Sequence, residues 1–434
     1  MVKNRHLDAR LKRWFWAWHF WIGLVASPVL VVLAVTGAIY IFKSELEIWW
    51  YADQVAAETE LMTPSGTSIA VQPVVDQVME SLGDQYSAYG MEIETGSGRA
   101  PAVLAMSDDG KHDLVRRHFD PADGRLMGEI PSNHFFDFVL DLHRRLMLGT
   151  IGRVLVELTT GWTIVVVLMG IVIWWPRSWK QASGVFWPRL RAKRYVQLRD
   201  LHSVGGVWAG ILIVLISLTG LLFSIVWGSS FHATAFVTGQ YDAALSPPQS
   251  VSSPDRDHLD ADRILKIARK LEIPTGRMSV DFARTETDSI KITAGHKYGA
   301  QSTRLVILDR ASGDVLSDHS LSSLPPMAVY TQIAYPLHIG TIGGLPTKIL
   351  WLIASLILVA LPFLGIAMWW TRRKPGASGA PNRPAINRPW WVTGAVIVLG
   401  ISLPVVGISM IAITIIDSLI QRFRQRPIIP DSKG

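Results

Sequence analysis

Five stretches of the chain are apolar over lengths that suit a bilayer: Trp14 to Phe42, Arg153 to Trp175, Val207 to Trp227, Thr347 to Trp370 and Val392 to Ile416. Eighteen or more such residues in succession predict membrane-spanning helices. The first run is longer than the core of a secretory leader and no small-x-small site closes it, so it reads as a retained span. Two long polar segments separate the runs. Each carries a helical pattern, Val74–Leu82 and Ala261–Leu271, followed by alternating apolar positions such as Leu305, Ile307 and Val315. Asp120 to Gly124 and Asp309 to Gly313 have the composition of hairpin turns. A small α+β module is therefore expected in each segment.

The halves repeat. Gly23 follows His19, and Gly206 follows His202, by four residues; Thr36-Gly37 and Thr219-Gly220 follow the same histidines by 17 and 18. From His143 and from His338, a glycine (Gly170, Gly365) and a Trp pair (Trp174-Trp175, Trp369-Trp370) recur at offsets of 27, 31 and 32. The expected architecture is a polytopic α-helical membrane protein of four to five spans with two α+β modules, built by internal parallel duplication. Its segments are a first span with a basic N-terminus (1–43), module one (44–134), a second span with an interfacial entry (135–176), a basic loop (177–200), a third span (201–228), module two (229–335), a fourth span (336–371), a second basic loop (372–391), and a fifth span with its tail (392–434).

Composition narrows the function. A chain 49% hydrophobic is too apolar for a soluble domain of this size, and without cysteine it has no disulfide, iron–sulfur or thiolate metal chemistry. The net charge of +7 does not indicate nucleic acid, because the basic residues cluster beside spans. Lys3, Arg5, Arg10, Lys12 and Arg13 precede the first. Arg177, Lys180, Arg189, Arg191, Lys193, Arg194 and Arg199 follow the second; Arg372, Arg373, Lys374, Arg383 and Arg388 follow the fourth. Positive-inside bias makes these segments cytoplasmic and the two modules extracytoplasmic. A fifth span would break the rule by carrying Arg422, Arg424 and Arg426 outward. Most of the 18 tryptophans sit at span ends as an aromatic belt; stacking of Trp18 or Trp208 on a cofactor is the minor reading.

An intramembrane histidine is costly and points to function. One alone is more often an interfacial hydrogen-bonder. Four at repeat-equivalent places form two couples, His19 with His202 and His143 with His338, and each couple suits bis-imidazole ligation of a b-type haem. Gly23 and Ser27, like Gly206 and Gly210, lie on the ligand's own helix face and leave room for a flat ring or for close helix packing. Arg13 and Arg199 at one edge, and Arg144 and Arg145 at the other, are candidate propionate partners, although snorkelling explains each as well. His6, His112, His118, His258, His296 and His319 have no matched partners and read as surface or loop residues; His134 and His232 lie near the outer interface.

The opening WHFWIGLVASPVLVVLAVTGAIYIF, the LH entries at His143 and His338, the DLHSVGGVWAG start of the third span and the Trp-Trp exits followed by basic residues together resemble the PepSY-associated transmembrane family of bacterial iron-regulated membrane proteins. The resemblance covers nearly the whole chain. It implies PepSY-like modules outside the inner membrane. By likeness to members that are di-haem ferric-siderophore reductases, it also implies haem ligands at His19, His143, His202 and His338. The expected activity is transfer of electrons to a periplasmic ferric siderophore, which then releases Fe(II). No GxGxxG stands on the cytoplasmic side, so a quinol or a separate cytoplasmic reductase would be the donor. The rival expectations are a cofactor-free PepSY sensor or protease regulator, a haem-bearing reductase of another periplasmic acceptor, and a transporter. The last is disfavoured because Glu157 is the only acid along the spans.

Overall fold

A computed structural model describes residues 9–63, 66–108, 114–128, 135–176, 183–240, 248–250, 258–274, 276–285, 287–295, 303–374, 376–381 and 389–424. Lys3, Arg5, Arg177, Lys180, Arg383, Arg388 and Arg426, with His6, His112, His134 and His296, lie outside these residues.

Among the described residues, four helices are long and apolar enough to cross a membrane: α1 (Ala9–Ile41), α6 (Gly149–Trp174), α7 (Arg194–Leu221) and α11 (Leu345–Arg372). They coincide with the first four apolar runs. The short helices α2 (Lys43–Trp50) and α3 (Ala52–Val55) follow α1. Two of the long helices are entered through a shorter one: α5 (Phe135–Arg145) precedes α6, and α10 (Pro326–His338) precedes α11. The break after α5 falls at Leu146 and Met147, both with positive φ. An eighth helix, α8 (Val226–Val237), follows α7.

The fifth apolar run is not one helix. It forms α12 (Trp390–Ser402) and α13 (Pro404–Arg424). Leu403 leaves helical geometry with φ −125° and ψ 78°, because Pro404 has no N–H to donate and its ring crowds the preceding turn.

Each polar segment supplies a helix and a set of strands, as expected of an α+β module, and the strands of the two join in one sheet. The hairpin β1 (Met62–Thr63) and β2 (Gly66–Thr67) stands apart, and seven strands share one antiparallel sheet. These are β3 (Tyr86–Ile93), β4 (Ala102–Ser107), β5 (Leu114–His118), β6 (Arg277–Asp281), β7 (Ile290–Gly295), β8 (Arg304–Leu308) and β9 (Val315–Ser320). Their order is β5-β4-β3-β6-β7-β8-β9. The seam is β3 against β6, with Met91 opposite Val280. A three-strand half would expose a row of unpaired backbone groups at that edge, and joining the halves removes it.

Helices α4 (Gln72–Leu82) and α9 (Ala261–Lys270) cover one face. Val74, Val75 and Val78 of α4, with Ile264, Leu265 and Ala268 of α9, close over Met91, Met278, Val280, Ile292 and Val306. Their N-termini cap each other. Val71 and Gln72 donate their backbone N–H groups to Asp262 (2.7 and 3.1 Å), and Ala261 N–H donates to the Gln72 side chain (2.8 Å). Both predicted turns form: Asp120 and Asp309 accept N–H groups two residues on, and Gly124 and Gly313 take positive φ.

The chain divides into two compact units. One comprises Met1–Thr36, Asp141–Phe231 and Ala354–Gly434; the other, Gly37–Leu140 and His232–Ile353, is built on the sheet.

Candidate functional site: a histidine pair anchored by helix carbonyls

His19 lies on α1 and His202 on α7. Their rings are neighbours in an edge contact, with centroids 6.0 Å apart and planes at 87°. Each ring is fixed from behind. His19 Nδ1 meets the Val166 carbonyl of α6 at 3.0 Å, and His202 Nδ1 meets the Leu361 carbonyl of α11 at 2.9 Å. A carbonyl only accepts, so both Nδ1 atoms carry the proton and both lone pairs reside on Nε2.

The repeated glycines make this approach possible. Gly170 stands four residues after Val166, and Gly365 four after Leu361, so each lies directly over the accepting carbonyl. A Cβ on Gly170 would sit 3.3 Å from His19 Cε1; one on Gly365 would sit 3.6 Å from His202 Cε1. The sequence displays the offset of 27 from His143 and from His338, but nothing in it says that these glycines serve the other two histidines.

The geometry suits a shared metal. Imidazole–metal bonds of about 2 Å, with about 1.1 Å more from each nitrogen to its ring centre, put two such rings roughly 6 Å apart. Neither Nε2 has a hydrogen-bond partner among the described residues. No group of three or more His, Asp or Glu that could hold a metal occurs among the described residues, so a metal here would complete its coordination from something other than the chain. A porphyrin supplies four such bonds. Beside the pair, a Cβ on Gly23 would meet nothing within 4 Å, which leaves space on the ligand's face of α1. Gly206 and Gly210 are instead contact points: their added Cβ atoms would meet Leu361 and Val167, as close helix packing requires. On these observations the two inner imidazoles are suited to hold such a group.

This chain matches the PepSY-associated TM region family over residues 16–372. It belongs to that family. A curated relative, an uncharacterized protein of Pseudomonas aeruginosa, is 28% identical over 176 residues, which cover 38% of this chain and 43% of the relative.

The remaining candidates divide. His143, on α5, is anchored as the inner pair is: its Nδ1 lies 3.1 Å from the Leu33 carbonyl and 3.0 Å from Thr36 Oγ1. Thr36 spends its own proton on Val32 O (2.7 Å), so the imidazole donates here too and its lone pair is on Nε2. Leu33 and Thr36 place His143 about 21–25 Å along α1 from His19 at 1.5 Å per residue. His338 is the last residue of α10 and half-buried.

The candidate propionate partners are exposed or engaged. Arg13 and Arg144 are exposed. Arg145 pairs with Asp141 at 3.2 Å. Arg199 is held by Asp200 at 2.7 Å, and Asp200 also takes Arg189 at 2.6 Å. Asp200, wholly buried, thus ties the basic loop down two residues before His202. Its signal in the sequence was a single acid amid the basic residues of that loop. Trp208 is likewise occupied, its indole donating to Phe186 O at 3.0 Å.

One reading needs correction, and one residue gains a role the sequence left open. His118, expected at the surface, is 4% exposed, with Nδ1 on the Ala100 carbonyl at 3.0 Å. Burial, assisted by nearby Arg99, lowers its pKa to about 4. Glu157 is not a stray acid. It is 3% exposed and accepts the backbone N–H groups of Val226 and Trp227, both at 2.9 Å, capping α8 from another helix.

Proposed function

We propose that this member of the PepSY-associated TM region family carries electrons across the bacterial inner membrane through two b-type haems and reduces a ferric siderophore on the far side. His19 and His202 would hold one haem and His143 and His338 the other. The single observation that carries the reading is the His19–His202 pair: two imidazoles 6.0 Å apart, each with Nδ1 on a helix carbonyl. The helix offsets that place them recur in both halves of the chain, which is the mark of a parallel duplication.

Haem supplies a one-electron Fe(III)/Fe(II) couple when bound. The chain's own part is to fix the ligands. The carbonyls of Val166 and Leu361 select the tautomer and orientation of the inner rings and raise their basicity. Gly206 and Gly210 let α7 pack closely against Leu361 of α11 and Val167 of α6 beside the pair. Each electron delivered reduces one ferric centre, and Fe(II) binds hard oxygen ligands less tightly than Fe(III), so iron leaves. A quinol or a cytoplasmic reductase would supply the electrons. The N-terminus and basic loops would face the cytoplasm, and the seven-stranded sheet the periplasm.

The test is a dithionite-reduced minus oxidised spectrum with a haem count on the purified protein. Two b haems per chain are expected, and one after His19→Ala or His202→Ala. Anaerobic mixing of reduced protein with ferric siderophores should reoxidise the haems. A colourless protein would refute the reading and leave a cofactor-free sensor or protease regulator. Haems that no siderophore reoxidises would leave a reductase of another acceptor.

A further inference from the structure

We propose that α12 and α13 form a re-entrant helical hairpin, so that the C-terminal tail emerges on the same side of the membrane as the other basic segments. The inference stands apart from the haem reading and concerns how the last apolar run is used.

The decisive observation is the approach of Gly400 to Gly407. Seven residues along a straight helix span about 10 Å. Here a Cβ on Gly407 would run into Gly400 O, and one on Gly400 would lie 3.4 Å from Gly407 Cα. The two backbones touch, which no gentle proline kink achieves. Each arm keeps its own hydrogen bonds up to the apex: Leu403 N–H donates to Leu399 O and Gly407 N–H to Leu403 O, both at 2.9 Å. The chain therefore turns sharply back at Leu403–Pro404.

The lengths agree. The arm Trp390–Ser402 has 13 residues, and the apolar part of the second arm, Pro404–Ile416, matches it. Each is about 20 Å long, short of a hydrocarbon core of about 30 Å. The packing sets the depth. Val392 is buried with Leu11 and Phe15 at the start of α1, with Ile173 at the end of α6 against it. The apex instead rests on Gly161 at the middle of α6, where an added Cβ would meet Val406 at 2.5 Å and Leu403 at 4.0 Å. The second arm stays with that middle stretch: Trp162 Nε1 donates to Ser409 Oγ at 3.1 Å, and Met410 and Ile413 pack on the cluster of Ile22, Trp162, Ile164 and Val165.

Backbone groups freed at an apex inside the bilayer need partners. Trp227 Nε1 donates to the Ser402 carbonyl at 3.0 Å and meets one such need. A second arm running outward from this depth would carry its apolar residues beyond the bilayer and place Arg422 and Arg424 on the side that positive-inside bias forbids. Folding back avoids both.

The chain has no cysteine, so single-cysteine variants report topology directly. Ser432→Cys in the tail, Arg191→Cys in the basic loop and Glu80→Cys on α4 would each be exposed to a membrane-impermeant maleimide in oriented membranes, before and after permeabilisation. The expected result is that position 432 labels as 191 does and opposite to 80. Labelling of 432 together with 80 would overturn the proposal. Gly407→Leu, where space is closed, should also lower thermal stability in detergent, whereas Gly394→Leu, where an added Cβ meets nothing within 4 Å, should not. Equal, unaltered stability in both would overturn the hairpin contact.

Discussion

Removing the Glu157 carboxylate should destabilise the helical unit by several kcal/mol. Both oxygens accept backbone N–H groups at the first turn of α8, from Val226 and Trp227, at 2.9 Å each. A helix start has N–H groups with no partner in the helix and a positive dipole end, and a carboxylate answers both. Hydrogen bonds to a charged acceptor contribute about 1.5–3 kcal/mol apiece, and an unsatisfied buried N–H costs about 1–3 kcal/mol. Glu157→Ala leaves two such groups in a region water does not reach, so a loss of roughly 3–5 kcal/mol follows. Glu157→Gln keeps one acceptor oxygen and turns an NH2 toward the other donor, for a loss of about half that. Glu157→Asp is a methylene short and should resemble the Gln variant.

The assay is thermal unfolding of the full chain in detergent, followed by tryptophan emission, because Trp227 sits at the cap itself. The order wild type, then Gln and Asp, then Ala is the expectation. An alanine variant as stable as wild type would refute the capping argument.

Further outcomes follow from the same geometry. Gly170→Ala gains about 0.5–1 kcal/mol of helix propensity but pushes His19 off the Val166 carbonyl, whereas Gly365→Ala fits at ordinary contact distance. If the inner pair holds haem as proposed, only Gly170→Ala of the two should shift that haem's midpoint potential on redox titration. His118 titrates at about 4 when folded against 6.5 ordinarily, so stability is complete above pH 6.5 and falls as pH drops toward 4, by about 3 kcal/mol in all. His118→Asn should flatten that dependence in unfolding curves taken between pH 4 and 7. Asp262→Ala removes the cap of α4 at Val71 and Gln72 and should cost the sheet unit about 1–2 kcal/mol by chemical denaturation.

What the sequence conveys depends on how local the determining physics is. The four long helices were legible because an apolar run declares itself within one window. The turns at Gly124 and Gly313 were legible because an Asp side chain meets backbone two residues away. The β3–β6 seam was not, since Met91 and Val280 lie far apart in the chain and strand pairing leaves no local mark. The broken fifth run misled because composition over Val392–Ile416 passes the test for a span regardless of Pro404. The discordant Arg422 and Arg424 were the available warning.

The histidines show the same division more sharply. That four of them recur at matched offsets was legible in the sequence. How His19, His143 and His202 are held was not, because each anchor comes from a helix distant in sequence. The anchoring is nevertheless the part that discriminates among functions. A histidine serving only to hold helices together gains most by using both ring nitrogens, since an unmet polar atom inside a membrane is expensive. His19 and His202 each bond through Nδ1 to a carbonyl and leave Nε2 without a hydrogen-bond partner among the described residues, their ring centroids 6.0 Å apart. A structural role alone leaves those two nitrogens unanswered inside a membrane. The haem proposed above would answer both, since its iron would take one lone pair from each imidazole while the porphyrin filled the remaining positions.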